Sequence, residues 1–505
     1  MATGITPSGP IHVGNMREVL TADMVVRACE RIDLKAELVY IADSADPLRK
    51  IYPFLDEDVY SEYVGHSLAT IPSPDGNGSY SDFFLNPFFS ALDDIGVEYR
   101  VVDAYESYKE GKYIESTKTA IENKDEISQI IQQVSQRPLD DDWFPYNPID
   151  DQGNMHGIKV TACEWPFVEW ASEDGRTGRT NIERGGGKLP WRLDWPARWN
   201  WLGVTFEGYG KDHSAAGGSW DTGQKLAPLF GSPPPMGMMY EWIYLKGKGA
   251  MASSKGNTVS GKELLDIVPP EIMRFLIARL KPGKHIDFDP GEGLISLADE
   301  YERLEQRYHK ELSGIEHKKI QDSSRKEQQM MDEARKFELA QVLRKGTKHS
   351  EGLGVSFSHL STLCQIKSNQ EDLLNSLSRS HEINIHQPDK RLLDRVERMR
   401  NWINSEWFPE NARIELAKSI DSANFNDEQI TFLNQFNLLS GNIDWNEANI
   451  QEAIKKSISD SELSPRQAFT TLYQSLLNME RGPKLAPLLV ELGKDDVISL
   501  LDGLN

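Results

Sequence analysis

The chain has 505 residues, with 56 Lys and Arg against 78 Asp and Glu and a formal net charge of −22. That balance excludes a uniformly basic nucleic-acid binder, which would show its phosphate contacts in its net charge, and leaves room only for a local basic groove. Hydrophobic residues make up 39% and charged residues 27%, and no apolar run approaches the ~20 residues of a membrane helix, so a spanning segment is excluded as well.

At roughly 100 to 200 residues per domain, this length predicts about three units. The start, MATGITPSGPIHVGN, has no basic stretch leading an apolar run, so no secretory signal is read there and the cytoplasm is the expected location. Only Cys29, Cys163 and Cys364 are present, with no C-x-x-C. This argues against a disulfide framework and against a cysteine-rich zinc site.

In chain order, the opening reads as a strand end, a Gly/Pro/Ser turn and a helix, since Met16, Val19, Leu20, Met24 and Val25 recur at helical spacing. Leu34–Asp43 supplies a mostly apolar strand, and strand, helix, strand in that order predicts a parallel α/β unit. Residues 70–80 are dense in Pro, Gly, Asn and Ser and mark a loop. A further strand leading into a helix is expected from Ile95. From about 140 to 190 the regular pattern gives way to an inserted loop-and-strand module.

Apolar order resumes at LPWRLDWPARWNWLGVTFEGYG, and a helix is expected from Ser219. PPPMGMMYEWIYLKG gives another strand and MASSKGN a polar loop. Ser260 and Glu263 have capping-box spacing. Beyond about residue 290, Leu294, Leu297, Tyr301, Leu304, Tyr308, Leu312 and Ile315 step by three and four, which places them on one face of a long amphipathic helix. Strand signals almost vanish from there to the end, so a helical region is expected after the α/β part.

Two segments carry chemistry. Pro7–Asn15, PSGPIHVGN, lies at the turn between the first strand and first helix. Its small residues let backbone amides approach an anion at a helix N-terminus, with His12 placed to donate to a phosphate. AMASSKGN, Ala250–Asn257, brings two hydroxyls and a Lys in a polar loop, donors suited to a polyphosphate. Each alone is more often a turn or a solvated loop. The pair, each at the carboxyl side of a strand in an α/β sheet where ligands sit, is far more specific.

PSGPIHVGN resembles the HIGH signature of class I aminoacyl-tRNA synthetases, with Asn15 in place of its second His, and MASSKGN resembles their KMSKS loop. LPWRLDWPARW, GKDHSAAGGSWD, MMYEWIYLKG and the C-terminal SPRQAFTTLYQSLLNMERGPKLAPLL are similar to the archaeal-type class I lysyl-tRNA synthetases. The resemblance spans nearly the whole chain. It implies a Rossmann-type parallel-sheet catalytic domain with an inserted connective module, followed by an all-α C-terminal region. The expected boundaries are 1–95 and 189–290 for the two halves of the Rossmann domain, 96–188 for the insertion, 291–345 for a helical stem-contact region and 346–505 for a helical anticodon-binding domain.

The implied reaction joins L-lysine and ATP into lysyl-adenylate and pyrophosphate, then passes lysine to the terminal adenosine of tRNA(Lys). By the same resemblance Pro7, His12, Gly14, Asn15, Asp212, Ser253, Ser254 and Lys255 would hold ATP, with Mg²⁺ assisting and His12, Asn15 and Lys255 closest to the chemistry. The first Lys of the loop signature is Ala250 here and its second is Ser253. Gly4, Thr6, Asp43, Trp191, His213 and Tyr240 would line the lysine pocket, with Asp43 preferred over Asp46 as the ammonium's partner. Trp195 and Trp199 are read as core. The alternatives are a class I synthetase for another amino acid, such as glutamate, and a non-catalytic tRNA-binding paralogue.

The sequence departs from the family in two places. Family members carry Cys pairs for zinc near 140–180, but here Cys163 with His156 cannot fill four tetrahedral positions. No zinc is therefore expected, and Trp143, Phe144, Trp165, Phe167 and Trp170 are expected to hold the insertion. Few residues precede Gly4, where the family has a further helix and strand, so the chain is either a shortened version or begins internally. For tRNA, Lys318, Lys319, Arg325, Lys326, Lys390, Arg391, Arg395, Arg398 and Arg400 are basic candidates, and Trp402, Trp407 or Phe408 are candidates for stacking on an unpaired base. A monomer is expected.

Overall fold

The computed structural model describes residues 1–247, 249–250, 259–315, 320–343, 353–381, 384 and 386–504. They fall into two compact units, Met1–Leu265 with Pro270–Phe288 and Ile315–His349, and Asp266–Pro269 with Asp289–Gly314 and Ser350–Asn505.

The first unit opens with β1 (Ala2–Ile5), α1 (Val13–Arg31) and β2 (Val39–Ala42). β1 and β2 pair in parallel with Gly4 opposite Ile41. Every residue of β2 is buried, as expected of a strand covered on both faces. Met16, Val19 and Leu20 of the predicted stripe lie fully inside, and a fully buried side chain of this kind contributes roughly 1.5–3 kcal/mol. After a loop comes α2 (Tyr80–Asp94), which the sequence reading did not anticipate; Pro87 lies inside it, a residue that disfavours helix interiors. β3 (Arg100–Asp103) pairs in parallel with β2. Residues 100–103 thus belong to the main sheet, although they were expected in the insertion.

The inserted module is an antiparallel sheet of β4 (Ile158–Glu164), β5 (Phe167–Ser172) and β6 (Thr177–Asn181). Val168 and Trp170 alternate inward on β5, while Glu169 between them is exposed. Tyr146, Val168 and Ile182 form a small core with Phe144 and Trp165 packed on it, and the Trp170 indole donates to Thr180 Oγ1 at 2.9 Å. Aromatic packing therefore holds the module, though one of the expected rings acts elsewhere. Phe167 lies under the Arg179 guanidinium, 4.0 Å away, and Trp143 packs on the main core.

α3 (Trp191–Leu202), β7 (Phe206–Gly210), α4 (Ser219–Leu226) and β8 (Met236–Tyr240) complete the main sheet, whose parallel order is β8-β7-β1-β2-β3. The chain passes from β1 to β2 on one side and returns as β7 on the other. That reversal opens a crevice at the carboxyl ends of β1 and β7, where open α/β sheets bind ligands. Beyond it β9 (Ile243–Leu245) pairs with β10 (Gly249–Ala250) and β11 (Ile286–Phe288). Ser260 and Glu263 form the expected capping box.

The second unit is helical, with no strand among its described residues. In Glu292–Arg307, Leu294, Leu297 and Tyr301 face inward, as the three-and-four spacing predicts. Phe432, Phe436, Ile450, Leu472, Leu489 and Val497 centre its C-terminal core. The segment expected as one piece at 291–345 is shared between the units. Trp402 and Phe408 are core residues here. Both are buried, and the Trp402 indole donates to Pro290 O at 2.7 Å, so neither offers a face to a base. Lys318 and Lys319 lie outside the described residues.

Candidate active site

A cavity of about 850 Å³ opens at the carboxyl ends of β1 and β7. The sequence-predicted Gly4, Thr6, His12, Gly14, Asn15 and Asp43 line it from the first half of the sheet. Trp191, Asp212, His213 and Tyr240 line it from the second. Pro7 is buried in the turn between β1 and α1 and is not part of the lining. Ser253, Ser254 and Lys255 lie outside the described residues.

His12 caps α1. Its Nδ1 accepts from Gly14 N at 3.1 Å, and Asn15 Oδ1 accepts from His12 N at 3.2 Å. Burial holds the imidazole down at about 4, so at neutral pH the ring is uncharged and, with Nδ1 accepting, its proton sits on Nε2. Asn15 spends its oxygen on the cap and keeps its amide N–H groups. The helix end thus presents two neutral donors together with its own dipole, the arrangement that binds a phosphate. The polypeptide returns from the second motif at this point, where Val13 N donates to Val259 O at 3.0 Å.

Asp43, expected to receive an ammonium, already holds a cation. Arg198 Nη2 reaches Asp43 Oδ1 at 2.7 Å and also pairs with Asp194. Lys188 in turn bonds Asp46 and stands 3.5 Å from Asp194, while Asp46 Oδ2 accepts from Thr6 Oγ1 at 2.7 Å. Tyr108 and Tyr113 donate their hydroxyls to Asp194. All five charged side chains are buried. Burial alone would push Asp46 and Asp194 up. Their resident cations, Lys188 for Asp46 and Arg198 and Lys188 for Asp194, hold both below the usual carboxylate range. Asp43 is tied to Arg198 as well, but there burial outweighs the cation and raises its pKa.

Glu18, one turn beyond Asn15 on α1, is different. It accepts from Thr3 Oγ1, from Gly4 N at 3.1 Å and from Tyr240 OH at 2.8 Å, with no cation beside it among the described residues. Burial raises its pKa. Gly4 has no side chain to fill the space, and a Cβ there would meet Ile41 O at 2.8 Å. Across the cavity Trp191 and Trp195 stack at 5.2 Å, with His213 at 5.2 Å from Trp195. A carboxylate facing an aromatic wall is the chemistry that holds an ammonium on an aliphatic stem.

Sequence reasoning missed Glu18, Arg198, Lys188 and Glu207. Glu18 stands three residues beyond Asn15, on the same helix face, and that spacing was the available signal. Nothing local marks Lys188 or Arg198 as partners of acids about 150 residues away.

Residues 1–342 match the family described as "tRNA synthetases class I (K)". A lysine–tRNA ligase of Thermoplasma volcanium is 38% identical over 99% of this chain and 95% of its own length. One of Methanosarcina barkeri is 38% identical over 99% and 93%. Among solved structures, a glutamate tRNA ligase of Elizabethkingia meningosepticum aligns over the whole chain and 98% of its own at 15% identity, with a TM-score of 0.46. By family match and by identity over nearly its full length, the chain belongs to the class I tRNA synthetases.

Proposed function

We propose that the cavity at the ends of β1 and β7 activates L-lysine with ATP, in a lysine–tRNA ligase. The observation that carries the lysine reading is Glu18, a half-buried carboxylate with only neutral donors, lining the same cavity as Trp191, Trp195 and Tyr240. It is supported by the identity to lysine–tRNA ligases along the chain. Glu18 takes over the role that Asp43 was expected to fill.

The lysine carboxylate attacks the α-phosphorus of ATP and pyrophosphate leaves. The 2′-hydroxyl of the terminal adenosine of tRNA(Lys) then displaces AMP from the carbonyl. No protein nucleophile is needed, so the protein's work is placement and charge stabilisation. His12 Nε2 and the Asn15 amide donate to phosphate oxygens, and Ser253, Ser254 and Lys255 clamp them. Asp212 and Gly14 line the ATP side and Pro7 shapes the turn. Thr6, fixed by Asp46, lines the amino-acid side with Gly4, Trp191, His213 and Tyr240.

Mg²⁺ serves as the counter-ion of the ATP phosphates. Among the described residues no group of three or more His, Cys, Asp or Glu offers a protein cage, which fits an ion carried mainly by phosphate and water. We read the chain as a cytoplasmic monomer without zinc, the inserted module being held by its aromatic core. Metal analysis of the purified protein tests the last point, and one tightly bound zinc per chain would reject it.

The test of the function is ATP–pyrophosphate exchange with each amino acid in turn. Exchange with lysine alone is expected. Exchange with glutamate or another amino acid rejects the specificity, and no exchange with any favours a non-catalytic tRNA-binding paralogue.

A further inference from the structure

Two carboxylates at the cavity, Glu18 and Glu207, contact neutral donors alone among the described residues, and the lysine reading uses only the first. Glu207 lies on β7 beside Ala2 of β1 and is 4% exposed. Its Oε1 accepts from the Trp195 indole and its Oε2 from the Trp199 indole, both at 2.6 Å. Two indole N–H groups do not require an acid, since a buried amide or backbone carbonyl would satisfy each of them. A carboxylate in this place carries a desolvation cost that packing alone does not explain.

Its position supplies the explanation. Trp195 forms the wall of the cavity, stacked on Trp191 and close to His213, and Glu207 both fixes that ring and lines the cavity itself. The charged groups around it are few. Arg198 approaches from α3 but is already shared by Asp43 and Asp194. Glu18 approaches from α1 and the Met1 ammonium from the start of β1, while Asp212 and His213 stand in the turn after β7.

We infer that Glu207 is a specificity-determining residue for the cationic side chain, giving up its proton to solvent when the substrate ammonium enters the cavity. The inference rests on lysine being the substrate. In the empty site burial pushes Glu207 up to about 7, so near neutral pH it is partly protonated. An arriving ammonium favours the ionised form, and a neutral side chain of the same length brings no such drive. Lysine is therefore selected twice, by Glu18 directly and by the charge that appears on Glu207.

The test is titration calorimetry of the full chain with L-lysine and with L-norleucine, its uncharged isostere, in buffers of unlike ionisation enthalpy and across pH 6 to 8. Lysine binding is expected to release protons, and its affinity to rise about tenfold from pH 6 to pH 8 by one-proton linkage. Both effects should be absent for norleucine and in Glu207→Gln, and should persist in His213→Gln and Glu18→Gln measured at saturating lysine.

PH-independent affinity with no proton release in the unaltered protein overturns the inference, as does release that persists in Glu207→Gln or vanishes in Glu18→Gln or His213→Gln. If Glu207→Gln does not fold, the unaltered protein and the other two variants still decide. Pyrophosphate exchange separates the two readings. Lysine exchange without proton release removes only the role of Glu207, whereas exchange with a different amino acid removes the lysine reading itself.

Discussion

Five carboxylates line one cavity, and apart from Asp212, in the turn after β7, they form two pairs of opposite character. Asp43 and Asp46, in the loop after β2, each hold a resident cation, Arg198 and Lys188. Glu18 and Glu207, on α1 and β7, are held by hydroxyl, amide and indole donors. The first pair has spent its charge on structure. The second has been kept from a cation at the expense of desolvation, which leaves it able to favour one that arrives from outside. Selectivity for an ammonium thus depends less on how many acids line a pocket than on which of them the fold has already neutralised.

The strongest way to break this contrast is to free the first pair. Arg198→Met strands Asp43 and leaves Asp194 with Lys188 as its only close cation among the described residues. Removing one partner from a buried ion pair typically costs about 3–5 kcal/mol. Urea unfolding is expected to show a loss of that size, and a loss under 1 kcal/mol would mean that the network is not structural.

A somewhat smaller effect sharpens the contrast through pH, because Asp46 and Glu207 pull stability in opposite directions. Asp46 is held below its unfolded value, so its contribution is present above the unfolded pKa and is lost as pH falls through the folded one. Glu207 is held above its ordinary 4.5, at about 7. Its unfolded form ionises first as pH rises, so the stability that comes from its holding a proton is full below about 4.5 and gone above about 7, a change of roughly 3 kcal/mol. Compared with Glu207→Gln, the unliganded protein should therefore lose stability between pH 4.5 and 7. Parallel pH curves for the two proteins would contradict the assignment.

Much of this was legible in the sequence. The alternation of strand and helix, the helical second unit and the stripe from Leu294 to Tyr301 follow from apolar spacing, which local chemistry writes directly into the chain. His12 and Asn15 were found because a helix N-terminus has a short, local signature, and the structure adds that the two residues cap each other. What could not be read was pairing at long range. The Arg198–Asp43 contact spans 155 residues and Lys188–Asp46 spans 142, and no local pattern marks an acid as already taken. Trp402 failed for a related reason. An aromatic residue on a basic helix reads equally well as a stacking face or as core, and only its bond to Pro290 O decides.

The most direct test of the central claim is lysine-dependent pyrophosphate exchange by Glu18→Gln and Asp43→Asn side by side. Loss of one partner from a buried charge pair corresponds to about 100-fold in affinity or more. Glu18→Gln should therefore raise the KM for lysine by about that factor, with the KM for ATP unchanged, while Asp43→Asn should change it by only a few fold. The reverse order, with Asp43→Asn abolishing lysine use and Glu18→Gln leaving it intact, would contradict the account.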